Sequence, residues 1–313
     1  MKPKIVFIGT PNFADIILKE LIENNLEPSL VITNKDKPKG RKGTISSPPV
    51  KLTAEKNKIP ILQPEKITEA KKDIEKIHPD IIILAAYGQI IPEQILNIPK
   101  YGTLNVHPSL LPKYRGASPI QSAILKGESE TGVTIILANK ELDKGPVVSS
   151  LIFKIQNPRI TNKELEEQLA SFGANLLINT IPKWIKGDIK PREQDESKKT
   201  YTQILKKEDG RIDWTKNANQ IEKKVRAFNP WPTTYCKAKN QTMKIWKAFV
   251  TKQTETSPKG PPGKVYLATN NNLAVQCGKD YLTIEELQFE GKRRMTAEEF
   301  LKGNIDFIGT ILK

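Results

Sequence analysis

The sequence predicts a doubly wound α/β domain followed by a smaller β-barrel domain. Three observations predict it. Short apolar strands alternate with helical stretches over the first half, a run of ten residues without an apolar side chain begins at Lys190, and short strands separated by turn signals follow. A length of 313 residues suits two domains.

The elements follow in order. Lys4 to Ile8 is a short apolar strand ending in the turn Gly9-Thr10-Pro11. Asn12 or a neighbour caps the next helix, whose apolar positions Ile16, Ile17, Leu21 and Ile22 recur at helical spacing. Leu30 to Thr33 is a second strand. Ile81 to Ala86 is a third, apolar throughout, as buried parallel strands are when helices cover both faces. Gly102 to Val106 and Gly132 to Leu137 are two more, with a helix from Ile120 to Lys126 between them. A helix from Lys163 to Leu177, extended through Trp184, closes this domain, residues 1–189. Residues 190–205 then read as a linker. In 206–313 a helix around Asn219 to Ala227 precedes the strands Met243 to Ala248, Gly263 to Tyr266, Leu273 to Gln276 and Tyr281 to Ile284. Residues 1–189 are expected to fold alone.

Motifs and composition exclude several functions. The first turn, Gly9 to Ala14, lacks the second glycine that lets a backbone approach a pyrophosphate. Gly40-Arg41-Lys42-Gly43-Thr44 lacks the spacing of a P-loop. No nucleotide cofactor is therefore expected. The six-residue run Ile81 to Ala86 is the longest apolar one, so no membrane partner is expected. The apolar start Ile5 to Ile8 is too short for an export signal. Cys236 and Cys277 make neither a disulfide framework nor a metal site, which suits a reducing cytoplasm. The net charge is +15, and residues 201–313 alone carry +8. Such an excess points to a polyanion, nucleic acid first, although a lysine-rich proteome gives the same number.

Only two histidines are present. His78, before Pro79, reads as a loop residue. His107 directly follows a strand, in Asn105-Val106-His107-Pro108-Ser109-Leu110-Leu111-Pro112, at the sheet edge where open α/β folds bind ligands. Asn105 and His107 are two apart, so both side chains leave an extended backbone on one face. Spacing alone leaves two readings open, a polar site or a hydrogen-bonded loop.

The segment Asn105 to Pro112, with Tyr114-Arg115-Gly116, Pro119-Ile120, Thr131-Gly132-Val133-Thr134 and Leu142-Asp143-Lys144-Gly145, resembles the signature of the 10-formyltetrahydrofolate-dependent formyltransferases. Within that superfamily the chain most resembles the members that act on methionyl-tRNA. Phe7 to Ala14, the basic stretch Lys37 to Lys42 and Arg226-Ala227-Phe228-Asn229-Pro230-Trp231-Pro232 carry that likeness, which spans nearly the whole chain. It implies a Rossmann-like formyltransferase domain and an OB-like barrel that binds tRNA. It also implies transfer of the formyl group of 10-formyltetrahydrofolate, a cosubstrate, to the α-amine of methionine on initiator tRNA. The product would serve translation initiation, made by a monomer in the cytoplasm.

The resemblance implies a catalytic set of Asn105, His107 and Asp143. The chemistry suits each type. An amide N–H steadies the oxyanion that forms when an amine attacks a formyl carbon, and losing such a donor costs about 10²–10³ in kcat. An imidazole moves protons near neutrality, worth about 10²–10⁴. A carboxylate orients that imidazole. By the same likeness Ser109, Leu110, Leu111 and Pro112 contact the folate, and Tyr87, Gly88, Gln89 and Ile90 line its pterin end. Lys39, Arg41 and Lys42 belong to a loop expected to order on the tRNA acceptor end, with Arg41 the principal contact. Lys223, Arg226, Lys244 and Lys247 are candidate phosphate contacts, as is Lys224. Trp231 and Trp246 are either stacking platforms or buried barrel aromatics.

One departure concerns the loop before the aspartate. Asn139, Lys140 and Glu141 stand where the superfamily often has small or acidic residues, and Glu141 replaces a glycine. The path of that loop is therefore left open. Two competing functions share part of this pattern. A formyltransferase for small amines would keep the trio and not need the basic second domain. A non-enzymatic RNA-binding protein would keep the charge and have no use for the trio.

Overall fold

In the computed structural model the described residues are 2–39, 44–268 and 272–313. They form two compact units. The first holds residues 1–119, 129–155 and 165–203, and the second holds 120–128, 156–164 and 204–313.

The first unit is built on β1 (Ile5–Gly9), α1 (Asn12–Glu23), β2 (Leu30–Ile32), the hairpin strands β3 (Lys37–Lys39) and β4 (Thr44–Ser46), α2 (Pro49–Lys56) and β5 (Ile61–Leu62). It continues with α3 (Lys71–Ile77), β6 (Ile81–Ala85), α4 (Glu93–Leu96), β7 (Thr103–His107) and β8 (Arg115–Gly116). After α5 (Pro119–Lys126) come β9 (Glu130–Leu137), β10 (Val147–Lys154), α6 (Asn162–Lys186) and β11 (Tyr201–Thr202). Seven strands make one sheet in the order β10-β9-β7-β6-β1-β2-β5. The five from β7 to β5 run parallel, whereas β9 and β10 are antiparallel. Strands β1 and β6 are almost wholly apolar and buried, as strands covered on both faces must be, whereas β7 carries Thr103, Asn105 and His107. The strand order reverses between β1 and β6, so the crevice at their carboxyl ends is where a ligand belongs.

The glycine of the first turn has a packing role. A β-carbon on Gly9 would lie 2.6 Å from the Ala14 side chain and 2.7 Å from the Ala85 carbonyl oxygen. Close passage of β1 beside β6 therefore requires it. The expected cap at Asn12 is not formed; Pro11 holds the N-cap position without a side-chain bond. The Phe13 N–H is taken by Glu166 of α6 instead. Burial pushes that carboxyl above its ordinary value, opposed by this hydrogen bond.

The segment expected to be a linker is seated on the first unit as far as residue 203. Arg192 bridges Val147, and β11 pairs in parallel with β8. Buried polar groups of the unit accept and donate to it, so its lack of apolar residues marks a hydrogen-bonded strap.

The second unit adds α7 (Ala218–Ala227), β12 (Thr234–Ala238), β13 (Gln241–Thr251), β14 (Val265–Leu267), β15 (Leu273–Gln276), β16 (Tyr281–Phe289), β17 (Met295–Thr296) and α8 (Ala297–Leu301). The strands are antiparallel in the order β12-β13-β16-β15-β14, with β17 beside β16. Register shifts at Ile245–Ala248 bend β13 around a core that includes Ile221, Val225, Met243, Ile245, Leu282 and Leu287. Residues 309–313 close the barrel. The Lys313 and Lys237 backbones exchange hydrogen bonds of 2.9 and 2.6 Å, while Leu312 N–H donates to Gly263 and Val265 N–H to Thr310. The seam between β12 and β14 is thus filled by this last segment.

Candidate active site

Asn105 and His107 stand at the carboxyl end of β7 on one side of the extended chain. Asp143 reaches them from the loop between β9 and β10, which Leu137 N–H and the Pro146 carbonyl pinch shut at 3.0 Å. Asn105 Nδ2 donates to Asp143 Oδ1 at 3.2 Å, and His107 Nδ1 lies 3.6 Å from the same oxygen. The His107 and Asp143 side chains are only 6% and 10% exposed, so they face one another outside bulk water. All three predicted residues therefore meet at one oxygen.

Strand β8 and Tyr114, the residue before it, hold this trio with main-chain groups. The Tyr114 carbonyl lies 3.0 Å from His107 Nε2. A carbonyl only accepts, so Nε2 donates to it and Nδ1 is the ring nitrogen that faces Asp143. Gly116 N–H donates to Asp143 Oδ2 at 2.8 Å. Gly116 has φ +109, and a β-carbon there would lie 2.8 Å from the Thr202 carbonyl oxygen. Only glycine suits both demands.

The loop that departs from the superfamily pattern resolves without a glycine at 141. The left-handed residue is Asp143 itself, at φ +51. Gly145 is the close-approach residue, since a β-carbon there would fall 1.9 Å from the Leu137 carbonyl oxygen. Glu141 is exposed and pairs with Lys144 at 2.7 Å.

Residues 109–112 form a rigid turn beside the trio. Ser109 Oγ donates to the Lys113 carbonyl at 2.6 Å. Buried Thr134 of β9 accepts the Leu111 N–H at 3.1 Å and donates to the Ser109 carbonyl at 2.7 Å. The Leu111–Pro112 peptide is cis. Residues 87–90 leave the carboxyl end of β6 and behave differently from one another. Tyr87 is buried in the apolar core, and its hydroxyl, which has no partner, is pushed up to about 12 by burial. Gln89 turns away, bonding Ile67 N–H and the Glu65 carbonyl. Ile90 is 82% exposed, and Gly88 faces open space.

Of the tRNA candidates, Arg41 and Lys42 lie outside the described residues. The backbone of Lys39 is in β3, whose hairpin is anchored at its base by Asp36. That carboxylate accepts from Gln63, Lys51 and Ser47 at 2.8, 2.8 and 3.1 Å, which holds it below the usual carboxylate range. In the second unit Arg226 is engaged inside, only 11% exposed, with Glu222 at 2.7 Å and the Ile160 carbonyl at 3.0 Å. Helical spacing put Glu222 one turn away to claim the guanidinium that the sequence offered as a phosphate contact. Lys223 reaches the Lys126 carbonyl at 3.4 Å, half-buried Lys224 donates to Arg211, and Lys247 pairs with Glu285 at 3.5 Å. Lys244 is exposed above the Trp246 ring, with Arg294 near the same ring at 5.0 Å. Trp246 is half-buried and Trp231 is 55% exposed, so the two tryptophans differ.

Two residues that sequence reasoning assigned no role complete the site. Arg115 is fully buried, and Gln194 joins it to the Asp143 loop. Arg115 stood inside the recognised motif, whereas Gln194 carried no signal within a charged stretch.

Residues 3–181 match the formyl transferase family and residues 204–304 the formyl transferase C-terminal domain. The chain is 44% identical over 305 residues to the methionyl-tRNA formyltransferase of Bacillus velezensis, covering 96% of this chain and 94% of that one. It is 42% identical to that of Clostridium novyi, covering 99% and 100%. Among solved structures, HypX from Aquifex aeolicus in complex with tetrahydrofolic acid shares the fold at a TM-score of 0.68 and 18% identity, over 98% of this chain and 48% of that one. Over its full length, the chain belongs to the methionyl-tRNA formyltransferase family.

Proposed function

We propose that Asn105, His107 and Asp143 carry the formyl transfer from 10-formyltetrahydrofolate to the α-amine of methionine on initiator tRNA. The observation that supports this reading is the meeting of all three on Asp143 Oδ1 at the carboxyl end of β7. The folate supplies the formyl group. Its flat ring suits the exposed Ile90 and the open backbone at Gly88, with the turn Ser109 to Pro112 on the other side.

Asn105 donates one amide hydrogen to Asp143 and keeps its second for the formyl oxygen as charge builds there. His107 takes the amine proton at Nδ1, because Nε2 is already occupied. The imidazolium then faces Asp143, whose charge favours it. The proton passes on to the departing folate nitrogen. Single-turnover formylation of methionyl-tRNA tests the set. His107→Ala and Asp143→Ala should each lower the rate at least about 10²-fold with tRNA affinity unchanged. A near-normal rate in either variant removes that residue from the chemistry.

The tRNA end is received by the basic hairpin and by a cleft of about 250 Å³ beside it, lined by Thr10, Asn34, Lys37, Pro38, Ser47 and Pro48 among others. Arg41→Ala should weaken productive tRNA engagement and spare folate binding; normal formylation by that variant would show the loop to be a solvated tail. The second unit, through Lys244 and its neighbours, holds the body of the tRNA. The enzyme works as a cytoplasmic monomer, which sedimentation at working concentration checks. Among the described residues no helix is long and apolar enough to cross a membrane.

A further inference from the structure

Gln194 lies in the strap expected to be a linker, yet it is only 8% exposed and every hydrogen-bonding position of its amide is filled. Its Nε2 donates to the Asp143 carbonyl and to the Gly145 carbonyl, both at 2.8 Å. Its Oε1 accepts from Arg115 Nε at 3.1 Å and Nη2 at 2.7 Å. The guanidinium carries donors only, so the amide cannot be reversed without setting N–H against N–H. Arg115 is fixed in turn by Glu196, 2.7 Å away, and that pairing holds the Glu196 carboxyl below its ordinary value. Strand β8, which contains Arg115, also supplies the Gly116 N–H that holds Asp143 Oδ2.

Asp143 is therefore gripped twice from one framework, at its carboxylate by Gly116 and at its main chain by Gln194. The second grip matters because Asp143 sits at φ +51, a conformation an L-residue keeps only when its surroundings impose it. We propose that Gln194 is a positioning residue for formyl transfer. It clamps the two carbonyls that flank Lys144 and so fixes the Asp143 carboxylate against Asn105 and His107. This rests on the catalytic reading of Asp143.

Gln194→Glu is the sharpest variant. It keeps an acceptor for Arg115 and preserves the packing, but turns an oxygen without a proton toward two carbonyl oxygens. The loop is then pushed off while the strap stays seated. In the full-length enzyme the variant should lower kcat about 10- to 100-fold, as a displacement near 1 Å does, with KM for folate and for methionyl-tRNA nearly unchanged. A residue acting only through Asp143 has nothing further to lose once that carboxylate is gone. Asp143→Ala/Gln194→Glu should therefore be no slower than Asp143→Ala alone.

The outcomes separate cleanly. An unchanged kcat in Gln194→Glu, beside a collapsed Asp143→Ala, overturns the positioning role and leaves the catalytic set standing. A double variant slower than Asp143→Ala by the full single effect shows that Gln194 acts by another route, and also overturns it. Near-normal turnover in Asp143→Ala overturns the catalytic reading itself and this inference with it. Gln194→Asn, which keeps both amide functions one methylene short of the carbonyls, decides the matter should Gln194→Glu not fold. Its kcat should fall several-fold, and a wild-type kcat overturns the proposal.

Discussion

At Asp143 the backbone and the carboxylate make separate demands, and a substitution can answer one without the other. Asparagine tolerates a left-handed φ and can still accept the Gly116 N–H, but it brings no charge to His107. Asp143→Asn is thus expected to melt within a few degrees of the parent while its single-turnover rate falls at least about 10²-fold. Matched thermal scans and formylation rates check this; a large loss of melting temperature would put the role in the fold. Glu166 shows the opposite case, a carboxyl whose surroundings disfavour its charge. Burial raises it above its ordinary value of 4.5 despite the Phe13 N–H. A group raised on folding contributes most below its unfolded value and least above its folded one. Glu166→Gln still offers an oxygen to Phe13 and has no charge to bury. The variant should gain stability over the parent at pH 7, and the gain should shrink as pH falls toward the ordinary glutamate value. Melting curves across that range give the sign.

Two elements owe their shape to single partners. The turn from Ser109 to Pro112 depends on the Thr134 hydroxyl, which serves the Leu111 N–H and the Ser109 carbonyl together. Thr134→Val keeps the volume and orphans both groups, so a loss of about 1–3 kcal/mol is expected in denaturant unfolding, with weaker folate binding. The barrel depends in a similar way on residues 309–313. Their removal leaves the Lys237 backbone and the Gly263 carbonyl without these partners and exposes two strand edges. The truncated chain should unfold at lower denaturant and associate more readily, which light scattering detects.

These elements also show what could be read from sequence. Strands β1, β2 and β6 were legible because buried parallel strands are continuous apolar runs. Strands β5, β8 and β11, two residues each, were not, because they are made by pairing partners rather than by pattern. The trio was named through the resemblance to the formyltransferases, since spacing alone left two readings open. Gln194 was not, since a hydrogen-bonded amide and a solvated one have the same local sequence, whereas the pairing of Arg226 with Glu222 stood in the helical spacing and was overlooked.

On the scale of the whole molecule, the chain passes between its two units more than once. Residues 120–128 and 156–164 belong to the second unit, where Arg159 pairs with Glu285 at 3.0 Å and the Ile160 carbonyl holds Arg226. The second unit is therefore discontinuous in sequence, which the expected break near residue 190 did not anticipate. A fragment of residues 204–313 lacks those segments and should melt well below the full chain. The net charge of +15 acts at the same scale. Affinity for tRNA should fall with salt, and each phosphate contact removed should reduce the log–log slope by about 0.7–0.9. Lys244→Ala should show that reduction. Arg226→Ala should not, because its guanidinium is already committed. Equal slopes for parent and Lys244→Ala would remove that lysine from the interface.

The main-chain hold on the trio bears on which inherited changes the molecule can absorb. The groups that touch His107 and Asp143 from Tyr114 and Gly116 are a carbonyl and an N–H, which every residue but proline provides. No exchange of side chain deletes them outright. Vulnerability passes to the residues that keep β8 on its course: Gly116, whose φ of +109 resists any side chain, and Arg115, buried with its partners in the strap. In a library of all single substitutions, selected for growth that depends on formylation, intolerance should map onto that course. Its deepest positions outside the trio should include a glycine and an arginine that meet neither substrate.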